Sequence, residues 1–121
     1  MAARKTSVPS GNAHKVKHEV ARLNGIFAEI DTNMMQVLTP LIRNSAYITV
    51  VIDELHEIIN KTGYVEKYDN GGGQIGTKES VYVKMHKDYS KLQKDNLRVL
   101  AGYVPVAKQK ATLLAAMRES R

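Results

Sequence analysis

The chain has 121 residues, a hydrophobic content of 43%, no cysteine and a formal net charge of +6. This length accommodates one domain with a modest core and no separate catalytic domain, and the lack of cysteine excludes disulfides and thiolate metal sites. Apolar runs such as residues 48–52, which include Thr49, are far too short to span a membrane, and the N-terminal residues lack the apolar core of a secretory signal. We therefore expect a chain that is neither secreted nor membrane-spanning.

Residues 1–12 are polar and basic and have little to bury, so they are expected to form a disordered basic arm. From Ala13 the pattern becomes helical. Apolar residues then recur three and four positions apart, on one helix face, at Val16, Val20, Leu23, Phe27 and Ile30. Asp31 or Thr32 is expected to cap the next helix, because a short side-chain oxygen can bind the free amides of its first turn.

The second helical pattern has the same spacing and continues through Met34, Val37, Leu41, Ile48, Val51, Leu55 and Ile58. Pro40 complicates it, because a proline inside a helix removes one backbone hydrogen bond. We favour one long helix over residues 32–61 with a kink at Pro40. The rival interpretation is a new helix that begins there with Thr39 as its N-cap. Gly63 is expected to end the helix.

A glycine-rich segment, residues 62–80, separates the second and third helical patterns. Three successive glycines cost a helix about 1 kcal/mol each relative to alanine, and Asn70-Gly71 is typical of a turn. Residues 64–68 and 74–78 can therefore pair as a short hairpin. The spacing of Gly71 and Gly76 resembles that of a phosphate-binding loop, but Thr77 and Lys78 stand in reverse order and no buried strand precedes them, so we expect no nucleotide site.

The third helix is expected to run from Glu79 or Ser80 to Ala101, and Gly102 and Pro105 are expected to end it. Its apolar stripe has heptad spacing and consists of Tyr82, Met85, Tyr89, Leu92, Asn96, Val99 and Tyr103. A polar residue at an a position, as at Asn96, can fix register or oligomer state. The alternative is that the whole stripe is the core face of a helical bundle.

These patterns predict an all-α fold, a helical hairpin or bundle with a long central helix and a Gly-rich turn, that forms oligomers. We divide the chain into the arm 1–12, a helical core and oligomerisation domain 13–104, and a C-terminal tail 105–121 that can form one more short helix. The expected contact between copies consists of Tyr82, Met85, Tyr89, Leu92 and Asn96.

No arrangement of residues predicts catalysis, a cofactor or a metal site. His14 and His18 have the i, i+4 spacing of a helical metal pair but no evident third ligand, so they are interpreted as exposed histidines. His56-Glu57 lacks the second histidine of a zinc-protease motif. The carboxylates of Asp53, Glu54 and Glu57 have the spacing of a solvated helix face. We therefore expect no enzyme.

Basic residues dominate both ends of the chain, whereas acidic residues dominate its middle. A row of cations one helical turn apart on the third helix can follow a phosphate backbone. A solvated face partly neutralised by Asp88 and Asp95 is an equal alternative. From charge alone, the candidate DNA contacts are Arg4, Lys5, Lys15, Lys17, Arg22, Lys84, Lys87, Lys91, Lys94 and Arg98.

The segment 68–80 carries Tyr68-Asp69-Asn70-Gly71, then Gln74, Gly76 and Lys78-Glu79-Ser80. Together with its flanking helices, over residues 23–105, it resembles the terminase small subunits of tailed phages, which typically show the element YxNGxxQxGxKxS at this place. The resemblance implies a DNA-packaging factor without enzymatic activity in the host cytoplasm. Such a factor binds double-stranded viral DNA, assembles as a homo-oligomeric ring, and delivers DNA to a large subunit that holds the ATPase and nuclease.

The N-terminal region has no clear helix-turn-helix pattern, so sequence-specific recognition is not expected, and no DNA contact of the family is assigned to a residue here. The main alternative is a helical structural or adaptor-like assembly protein with no DNA role. A regulatory DNA-binding protein would require a recognition helix that the sequence does not contain in recognisable form.

Overall fold

The computed structural model describes residues 10–69, 71–73 and 75–119. In chain order, its elements are α1 (Ala13–Ile26), α2 (Thr32–Thr62), β1 (Val65–Asp69), β2 (Ile75–Glu79) and α3 (Val81–Glu119). The described chain is therefore mostly helical, as predicted, with one short antiparallel hairpin between α2 and α3. The disordered arm was expected over residues 1–12. Its first nine residues, including Arg4 and Lys5, lie outside this description, whereas Ser10, Gly11 and Asn12 have an ordered structure, so disorder is the wrong prediction for those three.

Local capping sets the start of α1, which begins at Ala13 as predicted. The side chain of Asn12 accepts hydrogen bonds from the backbone amides of His14 and Lys15, at 3.0 and 3.2 Å. Just before this cap, Ser10 and Gly11 are held against the middle of α2. The Glu54 carboxylate accepts hydrogen bonds from both of their backbone amides and from the Ser10 hydroxyl, at 2.7 to 3.1 Å.

Helix α2 is continuous across Pro40, so the rival interpretation of two helices is wrong. Thr39 does not cap a new helix, since its hydroxyl donates to the backbone carbonyl of Met35 at 2.7 Å. Asp31 is the N-cap, and its carboxylate accepts from the amide of Asn33 at 3.4 Å. The helix ends at Gly63, whose φ of 88° suits a residue without a side chain.

The predicted hairpin is confirmed and pairs Val65 with Glu79 at one end and Asp69 with Ile75 at the other. Its turn contains three consecutive glycines, 71–73, all with positive φ between 61° and 83°, which is the backbone region that glycine enters without strain. Asn70, part of the predicted turn signal, lies outside the described residues. Gly76 faces Tyr68, and a Cβ there would lie 2.7 Å from the Tyr68 ring.

Helix α3 continues through Gly102 and Pro105 to Glu119, so the predicted end at Ala101 and the separate tail 105–121 are wrong over the described residues. The reason is that this part of α3 packs against distant parts of the chain. Tyr103, Val104 and Ala107 pack into an apolar cluster contributed by all three helices. Their burial offsets the roughly 3 kcal/mol that a proline costs inside a helix.

The described apolar core has two parts along α2. The larger cluster joins all three helices and contains Leu23, Phe27, Ile30, Leu38, Ile42, Ala46, Leu100 and Ala107. The smaller one joins α2 to α3 alone, where Tyr82, Val83, Met85 and Tyr89 cover Val51, Leu55 and Ile59. The order of these contacts means that α1 and α3 both run antiparallel to α2.

The predicted apolar stripe is confirmed: Leu23, Phe27 and Ile30 are buried in the larger cluster, and the partly buried Val16 and Val20 pack against it. α1 itself ends at Ile26, so Phe27 and Ile30 belong to the turn that follows it and not to the helix.

In α2 the prediction is wrong near the N-terminus: Val37 is 62% exposed and Met34 37%, whereas Leu38 and Ile42 are fully buried. The single-stripe pattern assumed one packing partner. At this end α2 packs against both α1 and α3. The second contact shifts the buried face of α2 by about one residue, from Val37 to Leu38.

Candidate nucleic-acid interface

The cations of α3 form an exposed row on the side of the helix away from α2. Lys91 and Arg98 each precede a buried residue, Gln93 and Leu100, by two positions, which is about 200° around a helix. Lys84 occupies the same line one heptad earlier. The complete row consists of Lys84, Lys87, Lys91, Lys94 and Arg98, all exposed.

Two members of this row lie beside carboxylates. Lys87 forms an ion pair with Glu79 at the end of the hairpin, and Arg98 lies 3.9 Å from Asp95. Lys84, Lys91 and Lys94 form no salt bridge with the residues that the structure describes. Their charges are therefore open to an external anion, and a phosphate backbone is an anion whose charges repeat at a comparable spacing.

The cations of α1 are placed differently. Lys15 and Arg22 line a cleft of about 410 Å³ between α1 and α2, opposite Thr49 and Asp53. Lys17 lies in a second, shallower depression on α1 together with His14, His18 and Ala21. The α1 cations are thus divided between two sites and do not form one row.

Arg22 is largely neutralised by Glu19, one turn earlier on α1. The guanidinium donates two hydrogen bonds to the carboxylate, from Nε at 2.8 Å and from Nη2 at 2.6 Å. These hydrogen bonds hold the pKa of Glu19 below its usual value, against a smaller opposing effect of burial, and raise the pKa of Arg22. Since its charge is already paired, Arg22 is a weaker candidate for phosphate binding than the lysines of α3.

Three of the five residues expected at a subunit interface pack inside the chain. Tyr82, Met85 and Tyr89 are half-buried against α2 in the smaller cluster. Leu92 is 53% exposed. Asn96 is half-buried, and its side-chain nitrogen is buried without a hydrogen-bond partner among the described residues.

Beyond Tyr89 the heptad stripe divides into an inner and an outer line. The most buried residues of this part of α3 are Gln93, Leu100 and Ala107, each one position after a d position of the heptad. The d positions stay outside. We call them the outer strip, and its members, spaced seven apart and 46–61% exposed, are Leu92, Val99, Val106 and Leu113.

The glycine-rich turn does not have the geometry of a phosphate-binding loop. It connects two antiparallel strands, whereas that loop joins a buried parallel strand to a helix N-terminus. The N-terminus of α3 is already occupied, because the Ser80 hydroxyl accepts from the amide of Tyr82 at 3.1 Å and Glu66 accepts from that of Val81 at 3.4 Å.

Three polar arrangements escaped the sequence interpretation because each joins residues far apart in the chain. They are the Glu54 contact with Ser10 and Gly11, a buried network around Gln93, and a close pair formed by His56 and His86. The only available signal was a polar residue next to an apolar stripe, which is too common to be diagnostic. By contrast, the His14 and His18 rings contact each other edge to face at 5.5 Å and both are exposed, as expected.

Comparisons with protein-family models, with curated proteins and with solved structures gave no match. Within residues 10–69, 71–73 and 75–119, no helix has the length and apolarity needed to cross a membrane. The same part of the chain contains no group of three or more histidine, aspartate or glutamate side chains arranged to hold a metal ion.

Proposed function

We propose that this chain is a terminase small subunit: a non-enzymatic protein of viral DNA packaging that binds double-stranded phage DNA and recruits the large ATPase-nuclease subunit in the host cytoplasm. The observation that carries the DNA-binding part is the row of five exposed cations along α3. The resemblance of residues 68–80 to the family element supports the assignment to packaging.

The DNA contact proposed here is to phosphates and not to bases. Lys84, Lys91 and Lys94 extend into solvent from one rigid helix and have no carboxylate partner among the described residues. Lysine acts as a point charge toward phosphate and contributes no base discrimination. Binding is therefore expected to depend steeply on salt and weakly on sequence.

The homo-oligomer is supported by the outer strip. Exposed apolar residues repeated every seven positions on one helix suit a second helix of the same kind, because a heptad repeat keeps facing its partner along a coiled coil. Gln93 lies level with Ser45 and Thr49, so the N-terminus of α2 lies level with roughly residue 108 of α3. Leu113 thus extends beyond the level of α2, where it is 61% exposed and open to contact with a second molecule.

A salt titration tests the DNA-binding part. Fluorescence anisotropy of a labelled duplex is expected to show binding at about 50 mM salt that weakens by orders of magnitude by about 200 mM. Duplexes of unrelated sequence should bind with similar affinity. An absence of binding at low salt would reject the DNA role. The remaining hypothesis would then be a helical assembly protein, which the outer strip supports without any DNA contact.

A role in packaging predicts two further results. Electron microscopy of the purified protein should show closed rings with a central channel, and the large subunit should co-purify with the ring. Rings that bind DNA but never the large subunit would retain the DNA contact and reject the role in packaging.

A further inference from the structure

His56 of α2 and His86 of α3 meet near the hairpin end of the molecule. Their Nε2 atoms are 2.8 Å apart, and the ring centroids are 4.6 Å apart with planes inclined by 26°. The pair borders an open cavity of about 290 Å³ whose other lining residues are Ile59, Asn60, Tyr64 and Val83. Two imidazole nitrogens therefore converge at a solvent-accessible place, and each is carried by a different helix.

This separation fits two ligands of one metal ion. Imidazole nitrogens lie about 2.0–2.1 Å from zinc, so two of them bound to one ion are roughly 2.9 Å apart at a right angle and 3.4 Å apart at a tetrahedral angle. The observed 2.8 Å is close to the lower value. Side-chain rotations that separate the two Nε2 atoms by about 0.6 Å more would reach the tetrahedral value.

The two Nε2 atoms are hydrogen-bonded to each other, so one of them carries a proton. An ion that binds both requires that imidazole to carry its proton on Nδ1 instead, which is a change of tautomer. Neither imidazole is bound to a carboxylate or ammonium group among the described residues. Asn60 lines the same cavity, and its side-chain amide together with water is a candidate for the remaining coordination positions.

We propose that His56 and His86 form a binding site for one divalent transition-metal ion of the imidazole-preferring class, Zn²⁺, Ni²⁺ or Cu²⁺, which links α2 to α3 beside the hairpin. With two protein ligands, the affinity is expected in the micromolar range. Because the ion binds only when the helices are packed together, it stabilises the folded chain. The proposal is independent of DNA binding and packaging.

The test is calorimetric titration of the untagged full chain with NiCl₂ and with ZnCl₂. We expect one ion per chain. Loss of an outer-shell partner already weakens metal affinity by about tenfold, so loss of a ligand in His56→Ala or His86→Ala should weaken it at least as much. The matched control is the double variant H14A/H18A, which removes the other histidine pair and should leave the affinity unchanged.

A spectroscopic measurement on the unmodified chain makes the test independent of how the variants fold. With one equivalent of Cu²⁺, electron paramagnetic resonance should show hyperfine coupling to two imidazole nitrogens. Coupling to a single nitrogen, or metal binding that is lost in H14A/H18A and retained in His86→Ala, would overturn the proposal. Absence of saturable binding would overturn it as well.

Discussion

The side chain of Gln93 in α3 forms hydrogen bonds with both the hydroxyl and the backbone carbonyl of Ser45 in α2. Its amide oxygen accepts the Ser45 hydroxyl at 3.2 Å, and its amide nitrogen donates to the Ser45 carbonyl at 3.1 Å. The same nitrogen donates to the hydroxyl of Thr49 at 2.6 Å. Ser45 is 1% exposed and Gln93 9%. This buried network lies between the two apolar clusters and fixes the register of α3 on α2, since a shift of one residue would leave buried polar groups unpaired.

Gln93→Ala should lower the free energy of unfolding by about 1–3 kcal/mol, because it leaves buried hydroxyl and carbonyl groups with fewer partners. Chemical denaturation measures this. Gln36→Ala, at an exposed position of α2, is the control and should change stability by less than about 0.5 kcal/mol. Equal effects of the two substitutions would mean that the network contributes no stability.

Glu54→Ala should release the residues that precede α1. The carboxylate accepts three hydrogen bonds from Ser10 and Gly11, and without it the Gly11 amide should exchange with solvent at least about tenfold faster, which corresponds to about 1.4 kcal/mol of local stability. Hydrogen exchange followed by NMR reports this amide directly. Glu57→Ala, one turn further along α2 and exposed, should leave its exchange rate unchanged.

The double variant K91A/K94A should weaken DNA binding and lower the slope of log affinity against log salt by about 2, because each phosphate contact contributes about one unit. K61A/K67A removes the same charge from the end of α2 and from β1 and serves as the control. A loss that is equal in both variants would show that overall charge, and not the α3 row, determines binding.

Leu92→Glu should impair self-association, since it places a charge in the outer strip. Leu97 is 46% exposed and lies about 140° away around α3, so Leu97→Glu adds the same charge outside the strip. Sedimentation equilibrium should show a smaller assembly for the first variant and an unchanged one for the second. If both variants assemble like the unmodified chain, the outer strip is not the contact.

Glu19→Gln tests the ion pair with Arg22 through its pH dependence. The pKa of Glu19 is lowered in the folded chain from its ordinary value of 4.5, so the carboxylate stabilises the fold above that pH, and the contribution is lost as the pH falls through the lowered pKa. The unmodified chain should be slightly more stable than Glu19→Gln at pH 7, and the difference should shrink as the pH falls below 4.5 and the carboxylate becomes protonated. A difference that grows on acidification would contradict the assigned pairing.

Local sequence rules determined most of the secondary structure. The side chains of Asn12 and Asp31 placed the starts of α1 and α2, Gly63 ended α2, and the run of glycines placed the hairpin turn. Each of these residues determines the structure of only the few residues around it, because capping and positive φ are properties of short segments. The exposed lysines of α3 were predicted for the same reason, since they follow one helix.

The tertiary structure decided what depends on distant partners. α3 continues through Pro105 because Tyr103, Val104 and Ala107 pack with the larger cluster. The buried face of α2 departs from the predicted stripe near its N-terminus because both α1 and α3 pack there. Gln93 with Ser45, and His56 with His86, join residues 48 and 30 positions apart. Periodicity specifies which side of a helix is apolar, but only packing specifies which part of that side stays exposed, and that part is where a second molecule can bind.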